Sequence, residues 1–374
     1  MKRAVLLLFL LAGCGGAPVL ANQPAQQPIA TTPPKPSAST MADPIAIAFP
    51  RDDAPHRRLT EWWYYTGHLV DAAGGHWGFE FVVFRAERGG FPVSWASHLA
   101  LTDETGTRFL YAQRSGIGPQ VDTSSATSFS FSLLGADQAG TPWTMAGSGG
   151  DDRLSATASA AEVAGSGAGT PFGIDLAVQP RKPPALHDGD GWVDFGVAGG
   201  SYYYSRTDMA ATGSIDVGGH PMKVSGRAWF DHQWGDFIAV GGGWDWFAVN
   251  LGNGVDLTLS LVRDPNGGYP LVYGTLVRPN GSTQHLDRSA FTVETTAHWR
   301  SPTTGIDYPA GWRIGIPGER LVIGLTPTVA EQELDTTPTS GVVYWEGSQR
   351  VTATQDGLPV KGEAYVELTG YGRR

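Results

Sequence analysis

The sequence predicts an all-β protein made of two tandem antiparallel domains of sandwich or barrel type. Three observations carry this. Short runs with an apolar–polar period of two recur along the chain, bounded by Gly, Asp, Asn and Pro. Glycine supplies 51 of the 374 residues and aromatics 11%, a mix that excludes both a disordered chain and a coiled coil. A weak internal repeat divides the chain in two.

The first element is an address. Lys2 and Arg3 precede the apolar run Ala4–Leu10, the charged and hydrophobic regions of a secretory signal. Leu11-Ala12-Gly13-Cys14 then looks like a bacterial lipobox, with cleavage before Cys14 and a diacylglycerol on its thiol. Cys14 is the only cysteine, so once lipidated it leaves no disulfide. Gly15 follows it rather than Asp, which fits an outer-membrane or periplasmic address in a Gram-negative cell envelope. Residues 1–13 are thus read as the signal peptide. Residues 14–44, rich in Ala, Pro, Gln, Thr and Ser, are read as the lipidated Cys and a tether. No later stretch has the ~18 consecutive apolar residues of a spanning helix.

The body follows. Gly78–Phe84, Ser128–Leu133 and Asp256–Leu261 alternate as strands. Tyr269–Tyr273 is a shorter run in which Pro270 marks a strand start or an edge. Turn signals such as Asp71–Gly75, Gly252–Gly254 and Pro279–Gly281 separate the runs. In the repeat, Trp62–Leu69 and Phe81–Arg85 match Trp244–Leu251 and Leu259–Arg263. Gly226–Asp231 likewise echoes Gly362–Glu367. The seam is placed within 215–240, giving domains of 45–220 and 221–374.

Some chemistry is excluded. There is no Gly-x-Ser-x-Gly, Walker A loop, HExxH or CxxC pair, and the nine His residues lack metal-ligand spacing. No cofactor and no metal is indicated. A net charge of −10 argues against a nucleic-acid partner.

Acids beside Trp and Tyr are the candidate chemistry. In Glu61–Gly67, strand alternation puts Glu61, Trp63 and Tyr65 on one face and Trp62 and Tyr64 on the other. In Trp229–Asp236, Trp229, Asp231 and Gln233 face one way and Phe230, His232 and Trp234 the other, unless a bulge near Gly235 intervenes. Trp244-Asp245-Trp246 sets a carboxylate between indoles. The strands with Glu346 and Glu367 read mainly as the close of the second barrel, with either acid as a lesser site candidate. Each cluster has a structural alternative: core aromatics with Glu61 at a solvated strand end for the first, a loop in which Asp231 caps backbone N–H groups and His232 packs for the second, and a domain-interface aromatic cluster for Trp244–Trp246. A carboxyl held against indoles has its charged form disfavoured, which raises its pKa and suits a general acid.

These same motifs, Glu61–Gly67, Asp231–Gly235, Tyr344–Gly347 and Tyr365–Tyr371, resemble a known group. It is the lipocalin-like family of carotenoid 1,2-hydratases (hydroxyneurosporene synthases) and AttH-type secreted proteins. The resemblance implies two lipocalin-like β-barrels in tandem over residues 45–374. It implies acid-catalysed addition of water to a C=C bond of a hydrophobic, isoprenoid substrate through a tertiary carbocation. His232 and Trp234 match the family's His-x-Trp element, and Asp231 is the adjacent acid to test as donor. These three form the catalytic set. Glu61, Trp63, Tyr65, Trp244 and Trp246 form the ligand-binding set. One departure stands out: the family's Tyr-x-Asp pair is absent from Asp256–Leu261, where only Asp256 remains. Three readings therefore stay open. One is a hydratase or isomerase, the second a non-catalytic carrier lipoprotein for an apolar ligand, and the third a glycan-binding or glycan-cleaving protein with two facing acids on an open groove.

Overall fold

The computed structural model describes residues 44–372 except 137, 139 and 238–241, and only the backbone of Val197. The signal, Cys14 and the tether lie outside the described residues. Twelve strands make the first sheet. They are β1 (Thr60–Asp71), β2 (His76–Ala86), β3 (Ser94–Asp103), β4 (Arg108–Ile117), β5 (Phe129–Leu133), β6 (Trp143–Ser148), β7 (Asp151–Ala158), β8 (Phe172–Pro180), β9 (Ala185–Leu186), β10 (Trp192–Asp194), β11 (Gly200–Val217) and β12 (His220–Gly235). The main order is β4-β3-β2-β1-β12-β11-β8-β7-β6-β5, antiparallel throughout, with β9 and β10 on β11. The ends curl round until β4 meets β5, which gives a near-closed barrel.

Thirteen strands follow: β13 (Gly243–Leu251), β14 (Asp256–Arg263), β15 (Leu271–Val277), β16 (Thr283–Leu286), β17 (Thr292–Thr295), β18 (His298–Arg300), β19 (Asp307–Pro309), β20 (Trp312–Ile316), β21 (Leu321–Pro327), β22 (Glu333–Asp335), β23 (Val343–Gln355), β24 (Leu358–Val360) and β25 (Gly362–Thr369). Eleven of them form the second sheet, in the order β16-β15-β14-β13-β25-β23-β21-β20-β17 with β22 and β24 on β23; β18 and β19 pair separately. The architecture is two lipocalin-like antiparallel sheets in tandem, each curled round its own core. The sheets change over between Gly235 and Gly243. This corrects the expected boundary at 220/221, because β12 is zipped along its length to β1 and β11.

Both barrels are filled. The first packs Trp63, Tyr65, Phe79, Phe81, Trp95, Phe131 and Trp143, and the second packs Phe247, Tyr308, Trp312 and Trp345. A 3-10 turn at Arg51–Asp53 plugs one end of the first barrel. There Asp53 accepts hydrogen bonds from Tyr204 (2.6 Å), Arg206 (2.9 Å) and the Gly149 amide (2.7 Å).

The sheets meet on their outer faces, and this explains the aromatic runs. Strands with water on one side alternate strictly, as β7 does. In β1, β2 and β12 consecutive residues are buried, because one face lines the barrel core and the other lines the seam. Tyr64, Val82, Phe84, Trp229, Trp246, Ala248 and Tyr365 form a third apolar cluster there, with Trp62 and Trp244 against it. β1 and β12 run so close at Gly67 that a Cβ would collide with the Arg227 and Ala228 backbone.

Candidate functional site

The period of two sorts the candidates. On β12, Trp229, Asp231 and Gln233 face the seam, while Phe230, His232 and Trp234 point into the first barrel. On β1, Trp62 and Tyr64 face the seam and Glu61, Trp63 and Tyr65 the barrel. Asp231 and His232 are thus back to back across one sheet. The expected site divides: Asp231, Trp244 and Trp246 come together, and His232, Trp234, Glu61, Trp63 and Tyr65 do not join them.

The inward group is bonded together through Glu61, with His232 Nδ1 left unpartnered. Glu61 accepts from the His56 amide (2.9 Å), His56 Nδ1 (2.7 Å) and His232 Nε2 (3.0 Å). Burial pushes this carboxyl up, but the two imidazoles more than offset it and hold it below its usual range. His56 stacks on Trp234 at 4.1 Å and His232 on Trp63 at 4.6 Å. The ligand atoms of His56, Glu61 and His232 lie within 4.8 Å of one another, a donor set the spacing in sequence did not reveal. Its spacings are those of hydrogen bonds, and the Glu61 oxygens are occupied by them.

The outward group lines a cavity of about 500 Å3 between the barrels, within the range of drug-sized ligand pockets. Its walls are Trp62, Phe84, Phe195, Phe237, Trp244, Trp246, Val262 and Leu271, and its polar groups include Tyr64, Glu80, Tyr203, Asp231, Ser260, Tyr273 and Glu367. Trp62 and Trp244 stack across it at 6.2 Å.

Asp231 is held by three donors of the first barrel. Its Oδ2 accepts from the Tyr203 hydroxyl at 2.5 Å, and its Oδ1 from Trp229 Nε1 at 2.6 Å and from Ser205. Trp246 Nε1 donates to Tyr203 at 3.0 Å, tying the second barrel to this acid. Burial pushes the Asp231 carboxyl up to about 6, and these donors stop it rising further. Behind it, His187 Nε2 contacts Ser205 at 2.7 Å and Nδ1 contacts Thr275 at 2.9 Å.

Glu367 is the accessible acid. It is only partly buried because it faces the cavity, and its Oε2 accepts from Trp244 Nε1 at 3.0 Å. Burial in apolar surroundings pushes it up to about 7. Two deeper carboxyls adjoin. Tyr64 donates to Glu346 at 2.7 Å and Tyr344 to Glu80 at 2.9 Å, each leaving the second oxygen unpartnered. Burial, with mutual repulsion, keeps Glu346 well above the usual range, and Glu80 is pushed up to about 8. These acids are enclosed, unlike those of an open glycan groove.

Asp256 is a seam tie. It accepts from Lys182 Nζ (2.6 Å), Thr207 (2.7 Å) and Asn250 (2.8 Å). A register shift in β11 between Arg206 and Met209 places Thr207 at a bulge, from which it bonds across the seam. Sequence reading also passed over Glu80, Tyr203 and Ser205. Their available signal was alternation: each lies on the seam face of its strand, and Ser205 pairs in register with Asp231.

A family model described as AttH-like matches residues 40–371. The chain belongs to the AttH-like family. Among solved structures, this AttH-like chain is similar to an AttH protein from Nitrosomonas europaea, with 28% identity and a TM-score of 0.73 over 87% of this chain and 98% of that one. It also shares the fold of kievitone hydratase from Nectria haematococca, at 17% identity and a TM-score of 0.62, over 88% of this chain and 94% of that one. Comparison with curated protein sequences yields no match.

Proposed function

We propose that this AttH-like protein is an acid–base enzyme that adds water to, or removes it from, a C=C bond of a largely apolar, isoprenoid substrate held between the two barrels. One observation carries the reading: two carboxyls that burial pushes up, Glu367 to about 7 and Asp231 to about 6, share one indole-walled cavity with different partners, three donors on Asp231 and one on Glu367. The donors on Asp231 favour its charged form and the open oxygen of Glu367 suits it to give a proton, so the pair is fitted to opposite roles in proton transfer. The fold shared with kievitone hydratase is compatible with this, and the chemistry rests on the site itself.

Glu367, partly protonated at neutral pH and open to the cavity, gives its proton to one alkene carbon. The cation formed on the other carbon meets the Asp231 carboxylate and the faces of Trp62, Trp244 and Trp246. A desolvated cation over an aromatic ring gains about 2 kcal/mol. Water adds to the cation and loses a proton to Asp231. Return of that proton to Glu367 resets the pair. A general acid placed in this way contributes roughly 10²–10⁴-fold.

The carrier reading has its own support: Asp256 is committed to Lys182, Asn250 and Thr207 and does not line the cavity. We extend the proposal to place: the Leu11–Cys14 motif supports a lipid anchor at the bacterial envelope. Mass spectrometry of an organic extract of the protein purified from its native membrane tests both. A hydroxylated isoprenoid beside its alkene supports the enzyme. The unreacted ligand alone, persisting after incubation, supports the carrier. A Cys14 peptide without diacylglycerol removes the anchor.

A further inference from the structure

A buried hydrogen-bonded chain leaves the cavity along the seam and is not used by the chemistry above. Glu80 of the first barrel, itself a cavity wall, receives Tyr344 of the second at 2.9 Å. The Tyr344 hydroxyl lies 2.8 Å from His98 Nδ1, on the first barrel. His98 Nε2 lies 3.2 Å from Thr339 Oγ1, on the second barrel. Thr339 donates to Gln113 at 2.6 Å. Glu80, Tyr344 and His98 are 1%, 3% and 0% exposed, whereas Thr339 is partly exposed. Every link is a group that both accepts and donates hydrogen.

We propose that Glu80, Tyr344, His98 and Thr339 form a proton path joining the inter-barrel cavity to the protein surface. The path rests on the reading of this cavity as a place where protons are moved. When an apolar ligand fills the cavity and excludes water, this path lets Glu80 exchange its proton with solvent.

With Glu80 protonated, its O–H donates to Tyr344, Tyr344 donates to His98 Nδ1, and Nε2–H donates to Thr339. To release a proton, each hydrogen moves one place outward. The carboxyl hydrogen passes to the Tyr344 oxygen and the phenol hydrogen to Nδ1. The Nε2 hydrogen passes to Thr339, whose hydroxyl turns from Gln113 to solvent and gives its own hydrogen to surface water. Glu80 ends as the carboxylate, which Tyr344 now hydrogen-bonds, and His98 as the Nδ1–H tautomer. One proton has left, and the ring is neutral before and after. Uptake is the reverse. Burial supports this role by holding the His98 imidazolium down at about 3. The titratable groups facing Glu80 are Tyr64, Tyr344, Glu346, Tyr365 and Glu367.

A path and a static clasp differ in the His98 tautomer. The full-length protein, labelled with ¹⁵N at histidine, is titrated from about pH 6 to about pH 10 and followed by long-range ¹H–¹⁵N NMR. His98→Gln assigns the ring signals and Glu80→Gln the carboxyl titration. The expected result is a move of the ring proton from Nε2 to Nδ1 as Glu80 ionises, abolished in Tyr344→Phe. A single tautomer across the whole range in the wild type overturns the path, whatever the variants do. No substrate is involved, so failure here is distinct from failure of the hydratase reading, which a missing turnover product shows.

Discussion

Asp231 and Glu367 occupy the same place in the two barrels. Asp231 on β12 pairs in register with Tyr64 on β1, and Glu367 on β25 pairs with Trp246 on β13. On the other side, Asp231 neighbours Ser205 and Glu367 neighbours Glu346. The repeat of Gly226–Asp231 in Gly362–Glu367 thus puts one acid from each half into a single cavity. Their surroundings separate them: Asp231 takes three direct donors, and Glu367 takes one with an oxygen left for a substrate.

Removing a donor raises the Asp231 pKa, because those bonds favour the charged form. A hydrogen bond to a charged group is worth about 1.5–3 kcal/mol, so Tyr203→Phe moves the Asp231 titration up by roughly 1–2 pH units. Carboxyl ¹³C NMR follows it directly. The acid limb of any pH–rate profile that needs the Asp231 anion moves the same way. An unchanged titration contradicts the assigned bond.

The seam acids make stability fall as pH rises. Glu80, pushed up to about 8 from an ordinary 4.5, keeps its proton in the folded protein after the unfolded chain has lost it. The unfolded state gains over that interval, and the penalty is complete above about 8. Glu80→Gln retains an acceptor for Tyr344 and removes the penalty. Its melting temperature exceeds that of the wild type by several degrees at high pH, and the two converge near pH 4, as calorimetry at the two pH values shows.

Lys182 and Asp256 join the barrels as a buried ion pair at 2.6 Å. Lys182→Met strands the carboxylate, and breaking one side of such a pair costs about 3–5 kcal/mol. Chemical denaturation measures the loss, and the double variant Lys182→Met/Asp256→Leu recovers most of it.

His232 and Trp244 are expected to separate stability from binding. His232 is fully buried in the first barrel, bonded to Glu61 and stacked on Trp63. His232→Ala lowers thermal stability and leaves the affinity of the folded fraction for an apolar probe unchanged. Trp244→Ala acts in reverse. The lost apolar contact of about 1.5–3 kcal/mol weakens binding roughly 10–100-fold with little change in melting. Tryptophan quenching by farnesol and a thermal melt on both variants decide the matter.

The fold was legible because period two, turns and the Gly-rich repeat all act locally. The partition of faces at Asp231–Trp234 was equally readable, since an ideal strand dictates it. What stayed hidden was which face is the site. Both faces of β1 and β12 are buried, so composition cannot tell a barrel core from a seam, and Trp63 and Tyr65 look no different from Trp62 and Tyr64. The family motif drew attention to His232 and Trp234, which face inward. The roles of Glu80 and Tyr344 depend on a contact 264 residues apart, and that of Tyr203 on contacts with Asp231 and Trp246 on other strands, which no local pattern encodes.

The central claim is that Glu367 and Asp231 move protons on a substrate between the barrels. The direct measurement is isotope incorporation: wild type, Glu367→Gln and Asp231→Asn incubated in H2¹⁸O with a panel of acyclic isoprenoid alkenes, with products read by mass spectrometry. An ¹⁸O-labelled alcohol is expected from wild type only, while both variants still quench with the same alkene. Equal labelling by all three proteins, or none by wild type with an alkene that fills the cavity, would contradict it.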